Sequence, residues 1–280
     1  MKFSIASLLR GGLSLAAVFA FQTARADEGK ALFNGKDLTG WKGFTELWSV
    51  KDGCITGQTQ PDSANPGKST LKSNTFLVWE GEVGDFELTY KYKIVDKDGK
   101  GEGFGNSGVQ YRSKVVDEKG YVVAGYQADF EIGKTYSGIL YEEKGRGILA
   151  KRGEKTVIHQ TEDPKKPKVE VVGTLGDLNA LRAKQQSKQP GGVSGAVLPE
   201  RSLSSLASDE IQANIKQADW NEYKVVAKGN HLQHFINGKQ TIDVTDETAE
   251  GAKKGVLALQ IHAGAPFTVQ FKDIILKELK

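Results

Sequence analysis

FELTYKYKIV, residues Phe86 to Val95, decides the fold class. Phe86, Leu88, Tyr90 and Tyr92 fall two apart, so an extended chain puts all four on one face and Glu87, Thr89, Lys91 and Lys93 on the other. A helix would scatter the same residues around its girth. Further runs repeat the pattern at Val109 to Val116, Tyr121 to Ile132, Tyr223 to Ala227, Leu232 to Ile236, Thr241 to Val244, Gly255 to His262 and Phe267 to Glu278. Asp52-Gly53 joins Trp48-Ser49-Val50-Lys51 to Cys54-Ile55-Thr56-Gly57, and Asn237-Gly238 joins two later runs; both dipeptides favour tight hairpins. Many short strands with Gly-rich turns predict an all-β protein, an antiparallel sandwich. One stretch breaks the rhythm. Thr161 to Asp219 is rich in Lys, Gln, Ser, Pro and Gly and reads as a partly helical or mobile insertion, with helix-like pieces at Leu175 to Gln186 and Ser208 to Lys216.

Residues 1–26 read as a cleaved export signal. Lys2 and Arg10 give a basic start, Gly11 to Phe21 an apolar segment, and Ala24-Arg25-Ala26 a small-x-small cleavage pattern. The apolar segment is shorter than the ~20 residues a membrane span needs, so no membrane span is expected. The expected mature chain, 27–280, is one sandwich domain of a periplasmic or extracellular bacterial protein. Lys2, Arg10 and Arg25 leave with the leader, so Lys and Arg fall from 38 to 35, level with the 35 acids. A neutral mature chain carries no electrostatic footprint for nucleic acid. The one cysteine, Cys54, allows no internal disulfide, so the core alone must hold the sandwich.

Two motifs mislead. Gly103-Phe104-Gly105-Asn106-Ser107-Gly108 matches the dinucleotide fingerprint but leads into a strand, where no helix N-terminus exists to hold a pyrophosphate. Asp96-Lys97-Asp98-Gly99 resembles a calcium loop but has its glycine fourth instead of sixth, and reads as a turn. No His-Glu-x-x-His and no clustered Cys/His spacing supports a zinc site.

The chemistry gathers elsewhere. Strand alternation puts Gly108, Gln110 and Arg112 on one face, as it does Gln127, Asp129 and Glu131, and again Gln260 and His262. Tyr126, Ala128 and Phe130 oppose the second set. A solvated face would favour Lys, Glu and Thr; the planar groups of Gln, Arg, Asp and His suit a hydroxyl-rich ligand instead. Tyr126, Tyr136 and Tyr141 lie close in sequence, and Arg146 follows in a Gly-flanked loop. His234 alternates with Leu232 and Ile236, which fits a core histidine as well as a site residue.

Several segments, in order, resemble the 3-keto-disaccharide hydrolase-like family. They are Leu32-Phe33-Asn34-Gly35-Lys36-Asp37-Leu38-Thr39-Gly40-Trp41, Asn106-Ser107-Gly108-Val109-Gln110-Tyr111-Arg112, Gly125-Tyr126-Gln127, Ile139-Leu140-Tyr141, Trp220-Asn221-Glu222-Tyr223, His234-Phe235-Ile236-Asn237-Gly238 and Gln260-Ile261-His262-Ala263-Gly264. The chain departs from the family pattern at Gln127 and Asp129, and at Ile261, where relatives often carry Asp. The resemblance implies a concanavalin A-like jelly roll with a carbohydrate site on its concave sheet, and an enzyme acting on glycosides already oxidised at sugar carbon 3.

Such a ketone acidifies the hydrogen on carbon 2, so a base can remove it, the aglycone leaves from carbon 1, and water adds back. The reaction needs a base, a donor for the enolate and an acid for the leaving oxygen. Asp129 or His262 is expected as base with the other as acid, and Arg112 with Gln110 on the ketone oxygen. Asn106, Tyr126, Gln127, Glu131, Tyr141, Arg146, His234 and Gln260 are expected around the sugar. No cofactor is certain; a divalent metal at the enolate oxygen would do the donors' work. Two other readings stay open. Asp129 and Glu131, with α-carbons about 6.5–7 Å apart on one strand, would suit ordinary two-carboxylate glycoside hydrolysis. The same sandwich also hosts sugar-binding modules without catalysis.

Overall fold

The computed structural model describes residues 29–187 and 200–280, so the expected leader lies outside the described residues. The first half runs through β1 (Lys30–Ala31), β2 (Trp41–Lys42), β3 (Trp48–Lys51), β4 (Cys54–Gln58), β5 (Thr75–Trp79), β6 (Phe86–Asp96), β7 (Asn106–Asp117) and β8 (Val122–Glu131). Four short strands follow: β9 (Leu140–Glu143), β10 (Gly147–Ala150), β11 (Glu154–His159) and β12 (Lys168–Thr174). Helices α1 (Leu178–Ser187) and α2 (Glu200–Gln212) precede β13 (Asn221–Lys228), β14 (His231–Ile236), β15 (Lys239–Asp246), β16 (Val256–Ile261) and β17 (Phe267–Glu278).

The strands form two facing sheets. One has the order β12-β11-β15-β14-β13-β6-β17-β4-β3, with β1 pairing on β17; the other has the order β10-β9-β8-β7-β16-β5-β2. Pairing is antiparallel except between β11 and β15, which run parallel. A parallel neighbour needs a long crossover, and β12, both helices, β13 and β14 supply it.

The alternation of β6 becomes the core. Phe86, Leu88, Tyr90 and Tyr92 are buried and meet Val109, Tyr111, Ala128 and Phe130 of the second sheet. Tyr92 stacks on Phe130 with ring centroids 3.9 Å apart. Burial of these aromatics in mutual contact is the main force holding two sheets face to face. Both hairpin dipeptides turn as their residues dictate: Asp52 and Gly53 have φ 51° and 69°, and Asn237 and Gly238 have φ 48° and 79°. Cys54 is buried as a free thiol.

The stretch that broke the sequence rhythm is partly folded. β12 pairs with β11 as an outer hairpin of the first sheet. Leu181 of α1 packs with Leu203 and Ala207 of α2, and the Ser204 hydroxyl of α2 meets the Thr174 hydroxyl at 2.9 Å. The second helix lies earlier than the Ser208 to Lys216 reading, since its apolar stripe starts at Leu203. Among the described residues no helix is long and apolar enough to cross a membrane.

Candidate functional site

Strand pairing builds the site one row at a time. Asn106 opposes Glu131, Gly108 opposes Asp129 and Gln110 opposes Gln127 across β7 and β8, while Gln127 opposes Tyr141 across β8 and β9. Directly paired residues share a face, and this face points away from the other sheet. On the far side of β7, Leu259 pairs with Val109, so Gln260 falls beside Gly108. Having no side chain, Gly108 leaves a saddle across which Gln127 and Gln260 approach to 3.4 Å. A Cβ there would lie 2.6 Å from Gln127 Cγ.

The result is a cleft of about 420 Å³ whose lining includes Asn106, Gln127, Asp129, Glu131, Tyr141, Gln260 and His262. Gln110 sits beneath it, fully buried, its amide 2.7 Å from that of Gln127. Four other expected residues lie elsewhere. Arg112 takes φ 47°, which breaks the alternation of β7 where its pairing to β8 and β16 slips. Its side chain therefore leaves the cleft face, ion-pairs with Asp85 at 2.7 Å and donates to the carbonyls of Gly84, Gly229 and Ala252. Tyr126 faces the core and donates its hydroxyl to Asp246. Arg146 ion-pairs with Glu142 and Asp246 with its side chain buried. His234 is wholly buried between the hydroxyls of Tyr111 and Tyr223, and burial takes its pKa down to about 3, so it is a neutral core histidine.

Three residues complete the cleft that the sequence reading left out. Asn74, just before β5, accepts from the Ala263 amide at 3.0 Å and donates to Glu143 at 3.3 Å. Glu143 also accepts from the Gln260 amide at 3.2 Å. Glu143 lies two residues past Tyr141, so the period that singled out Tyr141 would have found it. Phe104 closes one side, its ring centroid 6.1 Å from that of His262. The loop carrying Phe104 is fixed by Asp96, whose carboxylate accepts from the amides of Asp98, Lys100 and Gly103. That is the turn expected in place of a calcium loop.

The electrostatics single out Asp129. Burial, and then the nearby charge of Glu131, push its carboxyl well above the usual range, against a hydrogen bond from Gln127. Asp129 Oδ1 and Asn106 Oδ1 are buried without a protein partner, polar atoms left free to meet a ligand. Glu131 is engaged otherwise: its Oε1 accepts from the amides of Thr135 and Tyr136 at 2.8 and 2.9 Å and so shapes the loop after β8. His262 Nδ1 lies 2.6 Å from the Ala263 carbonyl. A carbonyl only accepts, so Nδ1 carries a proton, and Nε2 is the ring nitrogen left to act as a base. Among the described residues no three His, Cys, Asp or Glu side chains converge as a metal site would require.

Residues 28–277 match the model of the 3-keto-alpha-glucoside-1,2-lyase-like domain. The chain belongs to that family. Its two facing sheets form the mainly antiparallel sandwich that the alternation predicted. A Parabacteroides distasonis protein with a provisional glycosyl hydrolase name is similar over 91% of this chain and 95% of its own, at 19% identity and TM-score 0.48. The carbohydrate-binding module CBM66 of Bacillus subtilis is similar over 85% and 94%, at 14% identity and TM-score 0.43. The laminarinase catalytic domain of Thermotoga maritima is similar over 85% and 82%, at 9% identity and TM-score 0.41. Likenesses at these scores carry nothing about activity. No curated protein matches the chain.

Proposed function

We propose that this protein cleaves glycosides bearing a ketone at sugar carbon 3, by elimination and rehydration, with His262 as base and Asp129 as acid. The observation that carries the reading is their pairing in one cleft: a buried carboxyl held above the ordinary range, and an imidazole whose Nδ1 is committed to a carbonyl. Such a carboxyl keeps its proton to higher pH and serves as an acid, while the bare Nε2 serves as a base.

The steps follow. His262 Nε2 takes the proton from carbon 2, and the electron pair moves onto the ketone oxygen as an enolate. We assign donation to that oxygen, the role first expected of Arg112, to the side-chain amides of Asn106 and Gln127, which line the same cleft. The enolate collapses to a double bond between carbons 1 and 2, and the carbon 1–oxygen bond breaks. Asp129 gives its proton to the departing oxygen. Water then adds at carbon 1, Asp129 recovers a proton from it, and His262 returns one to carbon 2. Tyr141 offers a ring face to the sugar, and Gln260 and Glu143 offer polar groups to its hydroxyls.

The engagement of Glu131 with its own loop weighs against two-carboxylate hydrolysis. The basic, apolar, small-x-small order of residues 1–26 supports export as the setting for this chemistry. The test is leaving-group dependence on 3-keto-glucosides. With Asp129→Asn, single-turnover aglycone release from alkyl glucosides falls by about 10²-fold or more, while nitrophenyl glucosides, whose aglycone leaves without a proton, keep most of theirs. His262→Ala abolishes both. Equal loss from both substrate types in Asp129→Asn would remove Asp129 from the acid's role.

A further inference from the structure

A second cleft, of about 480 Å³, adjoins the first and shares Tyr136, Ile139 and Ile148 with it. Tyr136 and Ile148 are each 41% exposed, an apolar ridge between the two hollows. On the far side of the ridge the chemistry changes sign. The first cleft is lined by Asp129, Glu131 and Glu143. The second is lined by Lys134, Lys151 and Arg152 together with serines of α2.

The state of Arg152 is the informative part. It is 5% exposed, yet its guanidinium donates only to neutral oxygens: the carbonyl and hydroxyl of Ser208 at 3.1 Å, and the carbonyls of Ser137 and Lys134 at 2.8 Å. Among the described residues it forms no ion pair, and neither do Lys134 and Lys151. Glu154 and Asp209 also line this cleft. The Glu154 carboxylate is bonded to the Lys151 amide at 2.9 Å, and Asp209 acts on Arg152 from beyond ion-pair range. Three cations thus share this cleft with two carboxylates, Glu131 of the neighbouring cleft acting on Arg152 as well, and the one buried cation, Arg152, has no paired anion, which is a standing demand for one.

We infer that the second cleft is a subsite for a negatively charged leaving group, a carboxylate or phosphate borne on the aglycone. This rests on the proposed function for its naming of the two ends, since the keto sugar occupies the first cleft and the aglycone crosses the Tyr136–Ile148 ridge. The opposed charges also set direction. An anionic aglycone placed the other way round would meet Asp129, Glu131 and Glu143, so the wrong orientation is repelled as the right one is attracted.

The experiment uses calorimetric binding of unoxidised glucosides, which needs no turnover, beside kcat/KM on their 3-keto forms. The probes are glucosides of glucose, of glucuronic acid and of glucose 6-phosphate, tested on the wild type and on Lys134→Ala/Lys151→Ala. At low salt one or both anionic probes bind about ten-fold more tightly than the neutral one. Which of them does so tells carboxylate from phosphate. The advantage shrinks with added salt as screening requires and falls below about three-fold in the double variant, whose affinity for the neutral probe is unchanged. Equal affinity for all three probes, or an advantage untouched by the double substitution, overturns the inference. Charge preference without release from any keto substrate would leave the subsite standing and sink the elimination reading; release without charge preference would do the reverse.

Discussion

Gly108→Ala puts the geometry of the cleft to a quantitative test. The new methyl would lie 2.6 Å from Gln127 Cγ, 2.7 Å from Cδ and 2.9 Å from Nε2. Gln127 is 1% exposed and held by Gln110 and Gln260, so it has little room to yield. Overpacking of this kind costs about 1–3 kcal/mol. At about 2–4 °C per kcal/mol for a domain near this size, the melting temperature falls by roughly 2–12 °C. Displacing Gln127 by about 1 Å misaligns the cleft and lowers kcat/KM on the order of 10²-fold. Calorimetric melting and steady-state kinetics read both effects. Gln127→Ala removes all three clashing atoms, so the double variant Gly108→Ala/Gln127→Ala melts no lower than Gln127→Ala alone. A Gly108→Ala protein with wild-type melting and turnover, or a double variant that stacks the two losses, refutes the reasoning.

Three further outcomes are expected. The folded state binds the Asp129 proton more tightly than the unfolded chain does, so this group's stabilisation is present below about pH 3.8 and is lost as pH rises through its folded pKa; Asp129→Asn therefore gains on the wild type in melting temperature as pH rises, and a gap that narrows with pH would contradict the assignment. Arg112→Met leaves Asp85 without its partner and three carbonyls without their donor; it costs about 3 kcal/mol in urea unfolding, while kcat/KM of the folded protein stays within about two-fold, as suits a residue outside the cleft. His234 titrates near 6.5 unfolded and at about 3 folded, so the stability tied to its neutral form is intact above pH 6.5 and drains away between pH 6.5 and 3; His234→Gln flattens the urea midpoint across that window, and an unchanged slope would count against the buried neutral ring.

The sequence carried the fold well because period-two alternation is a local signal. β6, β8 and β17 lie within two residues of where their alternation put them at either end, and the cleft residues of β8 follow from the same rule. Arg112 escaped it because one residue at φ 47° reverses the face of everything after it, and nothing in the letters Tyr111-Arg112-Ser113 announces that break. Tyr126 and Arg146 looked like ligand residues by type, but their polar ends are claimed by Asp246 and Glu142 from distant parts of the chain. Asn74 reaches the cleft only through sheet order, since β5 neighbours β16 in space and lies far from it in sequence. The cationic cleft depends on α2 docking beside β12, a tertiary contact that composition alone reads as a solvated insertion.

The central claim is that the bond to hydrogen at carbon 2 breaks during cleavage. A 3-keto-glucoside deuterated at carbon 2 should be cleaved in ordinary water, with the first-formed sugar product analysed by mass spectrometry against an enzyme-free control. The elimination account predicts a product that has lost the label, with slower turnover than the unlabelled substrate. A product that keeps its deuterium, released at the unlabelled rate, would contradict it and return the cleft to direct hydrolysis.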